Sequence, residues 1–135
     1  MHICGCVRAF LARLIELGLD VYDVVQPTAA EMDIASLQND FGQKLTFCGS
    51  VCVQTTLAWG SPQDVEFEVQ RRLKLFDKGG LFLGPTHAIQ VGTPLENILV
   101  LYKTAGSLCE DIDESILSAQ PYRNDQTKIN MSKLF

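Results

Sequence analysis

The chain has 135 residues, of which 47% are hydrophobic and 20% charged, and its formal net charge is −5. This balance is typical of a globular domain and argues against disorder, while the negative charge argues against nucleic-acid phosphates or anionic membranes as partners. No apolar run approaches the about 20 residues of a membrane span. Met1 leads into no signal-peptide pattern, so we expect a cytoplasmic protein.

The first unit of the chain has the pattern of a helix followed by a strand. One helical face carries apolar residues at positions 7, 10, 11, 14 and 15, the spacing of a buried stripe. Gly18 is placed to end this helix. The β-branched run from Asp20 to Gln26 predicts a buried strand that Pro27 stops.

The second unit repeats this alternation. Asp33 is a suitable cap for a helix over residues 34–41, and residues 45–48 predict a short strand. Ser61 to Asp64 is a strong helix start, with an N-cap serine, proline at the first position and an acidic third position. The apolar stripe of that helix is Val65, Val69, Leu73 and Phe76, and the nearby basic residues Arg71, Arg72 and Lys74 predict a solvated face.

The third unit begins with a predicted strand over residues 81–84. The run from Thr93 to Glu96 has the form of a capping box, which predicts a helix that buries Leu95, Ile98, Leu99 and Tyr102. Beyond Gly106 the periodicity weakens. We therefore expect a domain over residues 1–106 and a tail over residues 107–135 that is weakly structured or helical.

Strands that alternate with helices indicate βαβ units and an α/β fold with a parallel sheet. The pattern fits either a doubly wound sheet or part of a (β/α)8 barrel, which typically needs about 250 residues. Three strands would leave two open edges, and no strand precedes the first helix. We expect further strands elsewhere, lost or on a complementary barrel chain, and no turnover by the isolated chain. Val21, Val25, Phe47 and Leu83 would face the barrel axis and promote self-association.

The chain has five cysteines, which in a reducing compartment are better interpreted as thiols or metal ligands than as disulfides. His2 and Cys4 form a His-x-Cys pair, a short pattern that a surface histidine also produces. Cys6 and Cys48 are alternative ligands, although free cysteines are more often small buried hydrophobic residues. Tyr22 and Trp59 are expected to pack in the interior rather than stack on a substrate.

Residues 2 to about 105 resemble the C-terminal region of the uroporphyrinogen decarboxylase superfamily. The resemblance rests on short motifs in a fixed order: His2–Gly5, Leu17–Val21, Val25–Pro27, Phe41–Phe47, Gly49–Gln54, Gly60–Val65, Gly79–Gly80, Gly84–Ile89 and Thr93–Asn97. It implies the last three strands and helices of a (β/α)8 barrel. In such barrels the reactive groups cluster at the carboxyl ends of the strands.

The superfamily contains uroporphyrinogen decarboxylases of haem synthesis and zinc enzymes that move methyl groups between corrinoid proteins and thiols. The methyltransferases carry a His-x-Cys pair and a later third ligand, commonly cysteine. His2 and Cys4 match the pair and His87 falls at the third position, so the resemblance implies zinc on these three residues and a corrinoid supplied by a partner protein. The alternatives are a metal-free decarboxylase in which His87 contacts the substrate, and an inactive remnant or partner subunit.

Two further residues are predicted to contact the substrate. Cys52 stands where many relatives of the superfamily carry an aspartate, so any role of that aspartate is in doubt here. Gln54 is interpreted either as a polar group of the pocket or as the start of a helix.

Overall fold

The computed structural model describes residues 1–106, and the predicted tail over residues 107–135 lies outside them. The elements in chain order are α1 (Arg8–Glu16), β1 (Val21–Val25), α2 (Ile34–Phe41), β2 (Thr46–Val51), α3 (Thr56–Trp59), α4 (Pro62–Leu75), β3 (Leu81–Pro85) and α5 (Leu95–Thr104). The short helix α3 was not predicted. Within the described part, no helix is long and apolar enough to cross a membrane.

The three strands form one parallel sheet in the order β1-β2-β3. Strand order and direction are therefore as the sequence predicts, and the α/β fold is that of part of a (β/α)8 barrel. Register aligns Tyr22 with Phe47 and Phe47 with Leu81, and the pairing of β1 with β2 then shifts so that Val25 lies opposite Gly49.

One face of the sheet packs against the helices. Tyr22, Val25 and Phe47 belong to a core with residues of α1 and α2, and Leu83 packs against a second core between β2, α3, α4 and α5. The prediction that Val25, Phe47 and Leu83 face the barrel axis is thus wrong, because the register places them on the helix side. Asp23, Cys48 and Phe82 occupy the opposite face, where Phe82 is 63% exposed.

Two predicted helix faces are also wrong in part. In α1 only Leu11 is fully buried and Phe10 is exposed. In α4 the buried stripe runs through Val65, Val69 and Arg72, so Arg72 is inside and Leu73 outside. The guanidinium of Arg72 is paired with Glu68 one helical turn earlier, and this ion pair offsets part of the free energy that burial of the charge costs.

Helix starts follow the predicted capping in two cases and depart from it in one. Asp33 accepts a hydrogen bond from the Ser36 amide at 2.8 Å, and Ser61 and Asp64 form the full capping box of α4. Thr93 does not cap α5: the N-cap residue is Pro94, and the Thr93 hydroxyl is buried without a hydrogen-bond partner.

The buried side chains of α5 are Asn97 and Leu101, whereas the predicted core residues of this helix are only partly buried. Asn97 Nδ2 donates to the carbonyls of Leu57 and Gly60 at 3.0 and 2.8 Å. The Asn97 amide thus links α5 to α3 and to the residue that follows it by hydrogen bonds, a role that a pattern of hydrophobic residues does not predict.

Candidate metal centre

Residues 1–3 lie along the outer edge of β1 and continue the parallel sheet. The Asp23 amide donates to the Met1 carbonyl at 2.9 Å, and the Ile3 amide donates to the Asp23 carbonyl at 2.7 Å, so that His2 is bridged to Asp23. The sequence did not predict this pairing, because three residues are too few to show a strand pattern. It places His2 on the face that carries Asp23, with Cys4 just beyond.

His87 reaches the same place from the far side of the sheet. It follows Thr86 in the loop after β3. The Thr86 amide donates to the Val51 carbonyl at 2.9 Å, and the Thr86 hydroxyl accepts from the Val53 amide at 3.1 Å. These two bonds join the loop that carries His87 to the loop after β2.

The three predicted ligands come together. One donor atom each from His2, Cys4 and His87 lie within 4.8 Å of one another, and all three residues are exposed. Cys4 Sγ is 3.4 Å from His2 Nε2, and the two imidazole rings meet edge to face with centroids 6.0 Å apart. Two imidazoles and a thiolate are a donor set that suits zinc, and three protein ligands are the number found in catalytic zinc sites.

Asp23 orients the His2 ring. Its Oδ2 is 2.6 Å from His2 Nδ1, and this hydrogen bond, helped by one from Cys48, holds the pKa of the Asp23 carboxyl below its usual value despite partial burial. An ionised carboxylate only accepts, so Nδ1 carries the proton and donates. The Nε2 atom is left facing Cys4, which is the arrangement that metal-binding histidines commonly show.

The other cysteines near this centre are outside the cluster. Burial, with a hydrogen bond to Asp23, raises the pKa of the Cys48 thiol, so Cys48 stays protonated and supports Asp23. Cys6 is exposed and is likewise not among the residues that meet at the centre. Neither serves as an alternative ligand in this arrangement of the described residues.

Tyr22 holds the segment between the two N-terminal ligands. Its hydroxyl donates to the Ile3 carbonyl at 2.8 Å, and burial, together with the nearby Cys4 and Asp23, raises the pKa of Tyr22 to about 12. It is a core residue, as predicted, with this further contact. Trp59, also expected to pack inside, is 85% exposed.

A cleft of about 380 Å³ lies beside the cluster. Its walls include Cys4, His87, Gln26 and Gln54, and the two glutamines are joined by a hydrogen bond of 2.7 Å. The structure therefore places Gln54 on the cleft wall, ahead of the start of α3.

Cys52 lies elsewhere: it is 4% exposed and is not among the residues that line the cleft. Its Sγ is 3.7 Å from the Thr28 hydroxyl. Burial raises the pKa of the Cys52 thiol, but hydrogen bonds from Thr55, the Gln54 backbone and Thr28 outweigh burial, and the net pKa is lowered.

Sequence reasoning missed Asp23 and Gln26. The signal for Asp23 was present, since it is the one charged residue within the apolar run of β1 and such a residue needs a partner. Gln26 also had a signal, because it lies in the Val25–Pro27 motif of the resemblance, although a polar residue before a proline is otherwise ordinary loop composition.

Comparison with known proteins gives a family. Residues 1–108 match the family model described as uroporphyrinogen decarboxylase (URO-D). The match covers every described element and all three residues of the cluster. No curated protein matches the chain.

Proposed function

The chain belongs to the uroporphyrinogen decarboxylase family, and we propose that it is a zinc-binding domain of the methyltransferase type, which serves methyl transfer between a corrinoid protein and a thiol. His2, Cys4 and His87 would hold the zinc. The observation that carries the proposal is the convergence of their donor atoms within 4.8 Å, with the remaining nitrogen of His2 bonded to a carboxylate.

The residues around the cluster fit a metal better than an empty surface. Two exposed imidazoles beside a thiol gain little from proximity, since none of the three groups is sheltered from water. A carboxylate behind the first histidine selects the tautomer whose Nε2 accepts a metal. Tyr22 and the Ile3 carbonyl then fix the distance between the first two ligands.

Zinc at this site would hold a bound thiol as the thiolate, which is the nucleophilic form. The chain's own residues hold the proposed ligands in position. Asp23 keeps the proton on Nδ1 of His2, Cys48 supports Asp23 through its thiol, and Thr86 holds the loop of His87 against the loop after β2. The cleft beside Cys4 and His87 offers room for the thiol.

The decarboxylase alternative requires a polycarboxylate substrate beside His87. Among the described residues, the walls of the adjoining cleft carry glutamines, a valine and a threonine and no lysine or arginine. Such walls offer carboxylates no cationic partner. What supports the thiol is the cluster of His2, Cys4 and His87 itself.

The proposal is tested by metal content. Protein purified from a zinc-replete culture should carry about one equivalent of zinc, as three ligands and one open position predict, measured by mass spectrometry of the metal. Cys4→Ser should lower this content strongly. Cys6→Ser is the matched control, since Cys6 is an exposed cysteine two positions away and outside the cluster, and it should bind zinc like the wild type.

Two outcomes would contradict the proposal: metal-free wild-type protein, or equal zinc loss in the two serine variants. Cobalt substitution adds a spectroscopic readout, because a cobalt–thiolate bond has a charge-transfer band that Cys4→Ser should abolish.

A further inference from the structure

We propose that Cys4 and Cys6 form a reversible disulfide, and that this modification withdraws Cys4 from the metal cluster and thereby releases the ion. The release of metal rests on the proposed function, whereas the disulfide itself does not. The structural basis is the segment of residues 4–6, in which a cysteine of the cluster and a second free cysteine lie on either side of Gly5, both exposed.

The segment that carries the two cysteines is fixed only at its ends. On one side the Ile3 amide donates to the Asp23 carbonyl at 2.7 Å, and on the other Val7 is buried in the core. Among the described residues, no backbone hydrogen bond joins residues 4–6 to another part of the chain. The segment can therefore change its backbone angles without breaking the sheet or α1.

Gly5 gives the segment the conformational freedom that a disulfide needs. Two residues of chain span at most about 7 Å, and disulfides join Cα atoms about 4.4–6.8 Å apart, so the chain needs only to bend between the cysteines. It bends at Gly5, which has φ of +90° and no atom within 4 Å of an added Cβ. Glycine moves readily between positive and negative φ, and no neighbouring group of the described chain resists the change.

Both thiols lie near the Tyr22 hydroxyl, which donates to the Ile3 carbonyl at 2.8 Å. Cys4 and Cys6 each contribute to the raised pKa of this hydroxyl, so the two sulfur atoms share one neighbour. Cys4 Sγ is also 3.4 Å from His2 Nε2, whereas Cys6 is outside the cluster. A bound metal would thus hold one thiol and leave the other free to react.

The oxidant is a small disulfide. The Cys6 thiol attacks one of its sulfur atoms and displaces a first small thiol, and the Cys4 sulfur then attacks the Cys6 sulfur and displaces the second. One S–S bond breaks and another forms, and the small disulfide is reduced to two thiols. These thiols take up the protons of the two protein thiols, or one proton from water where zinc had held Cys4 as the thiolate.

Formation of the disulfide leaves the cluster with two imidazoles. This is fewer than the three or four protein ligands that hold zinc in proteins, so the metal should leave. A disulfide in so short a loop is strained, and strained, exposed disulfides are readily reduced. The change should therefore be reversible.

The experiment exposes zinc-loaded and metal-free protein to bis(2-hydroxyethyl) disulfide, an uncharged oxidant. Peptide mapping by mass spectrometry should show Cys4 linked to Cys6 in both forms. The loaded protein should release zinc to a chromophoric chelator in step with disulfide formation. Excess 2-mercaptoethanol should reduce the bond, after which the protein should bind added zinc again.

Cys6→Ser should release zinc at least about tenfold more slowly, because a thiol two residues away acts at a far higher effective concentration than a dissolved disulfide. The control is Cys52→Ser, which removes a buried cysteine outside the cluster and should behave like the wild type. Linkage of Cys4 to another cysteine instead, zinc release at the wild-type rate in Cys6→Ser, or a Cys4–Cys6 disulfide that forms with zinc retained would overturn the inference. Reduced protein without zinc contradicts the zinc proposal instead, and the peptide map of the metal-free form then decides on the disulfide.

Discussion

Replacing Asp23 with asparagine tests whether this residue serves the metal or only the fold. Asparagine keeps the size of the side chain and one carbonyl oxygen but removes the charge that fixes the His2 proton on Nδ1. The two side chains are 51% and 39% exposed, so as a surface ion pair they contribute at most about 1 kcal/mol to the free energy of unfolding.

Loss of a carboxylate behind a metal-binding histidine typically weakens metal affinity by about 10- to 100-fold. Each factor of ten corresponds to about 1.4 kcal/mol, so the effect on zinc binding should exceed the effect on stability. Asp23→Asn should therefore lower zinc affinity in competition with a chromophoric chelator while the melting temperature of the metal-free protein hardly moves.

Asp20→Asn is the matched control for this measurement. Asp20 is exposed, immediately precedes β1 and is not part of the cluster. Zinc affinity should be unchanged in this variant. If Asp23→Asn binds zinc as tightly as the wild type, or if both variants lose affinity equally, the assignment of Asp23 as the orienting residue of His2 is refuted.

Three further predictions concern the fold. Gly49→Ala should lower the free energy of unfolding in urea by about 1–3 kcal/mol, because Gly49 has φ of +93° and an added Cβ would overlap Val24. Gly84→Ala is the control and should lower it less, since no atom lies near the added Cβ. Glu68→Gln should cost about 2 kcal/mol or more, because it leaves the buried Arg72 without its charged partner; the exposed Glu66→Gln should stay within about 0.5 kcal/mol. Hydrogen bonds from Ser61 lower the pKa of the Asp64 carboxyl from 3.8. The ionised carboxylate therefore stabilises the fold above pH 3.8, and this stabilisation is lost as pH falls through the lower pKa of the folded state. The melting temperature of Asp64→Asn should depend less steeply on pH in acid, and an unchanged dependence would contradict the prediction.

The order and direction of the strands could be predicted from the sequence because each strand is a short apolar run bounded by glycine, proline or a capping residue. The two caps that the structure bears out, Asp33 and Ser61, are local motifs whose partners lie three residues away. The faces of the helices were less predictable. Arg72 is buried because Glu68 neutralises it, and a hydropathy pattern assigns any arginine to the surface.

The residues of the candidate site also differ in how far the sequence predicts them. His2, Cys4 and His87 were predicted from the resemblance to the zinc methyltransferases of the superfamily, and the structure brings them together. Asp23, Tyr22 and Gln26 contribute through contacts across the sheet, between residues some twenty or more positions apart. Such contacts depend on strand register, which is determined by packing against the helices and is not contained in any local pattern.

The pairing of residues 1–3 with β1 has a consequence for the way metal and sheet depend on each other. His2 lies in this edge segment, Cys4 follows it directly and His87 lies in the loop after β3, so a bound ion would connect the edge segment to that loop. Undocking of the segment removes His2 and Cys4 from the site, and a metal that binds only the docked form shifts that equilibrium by mass action. Edge fraying and metal release then become one reversible event. Protection of the Ile3 and Asp23 amides against hydrogen exchange should therefore rise with zinc concentration.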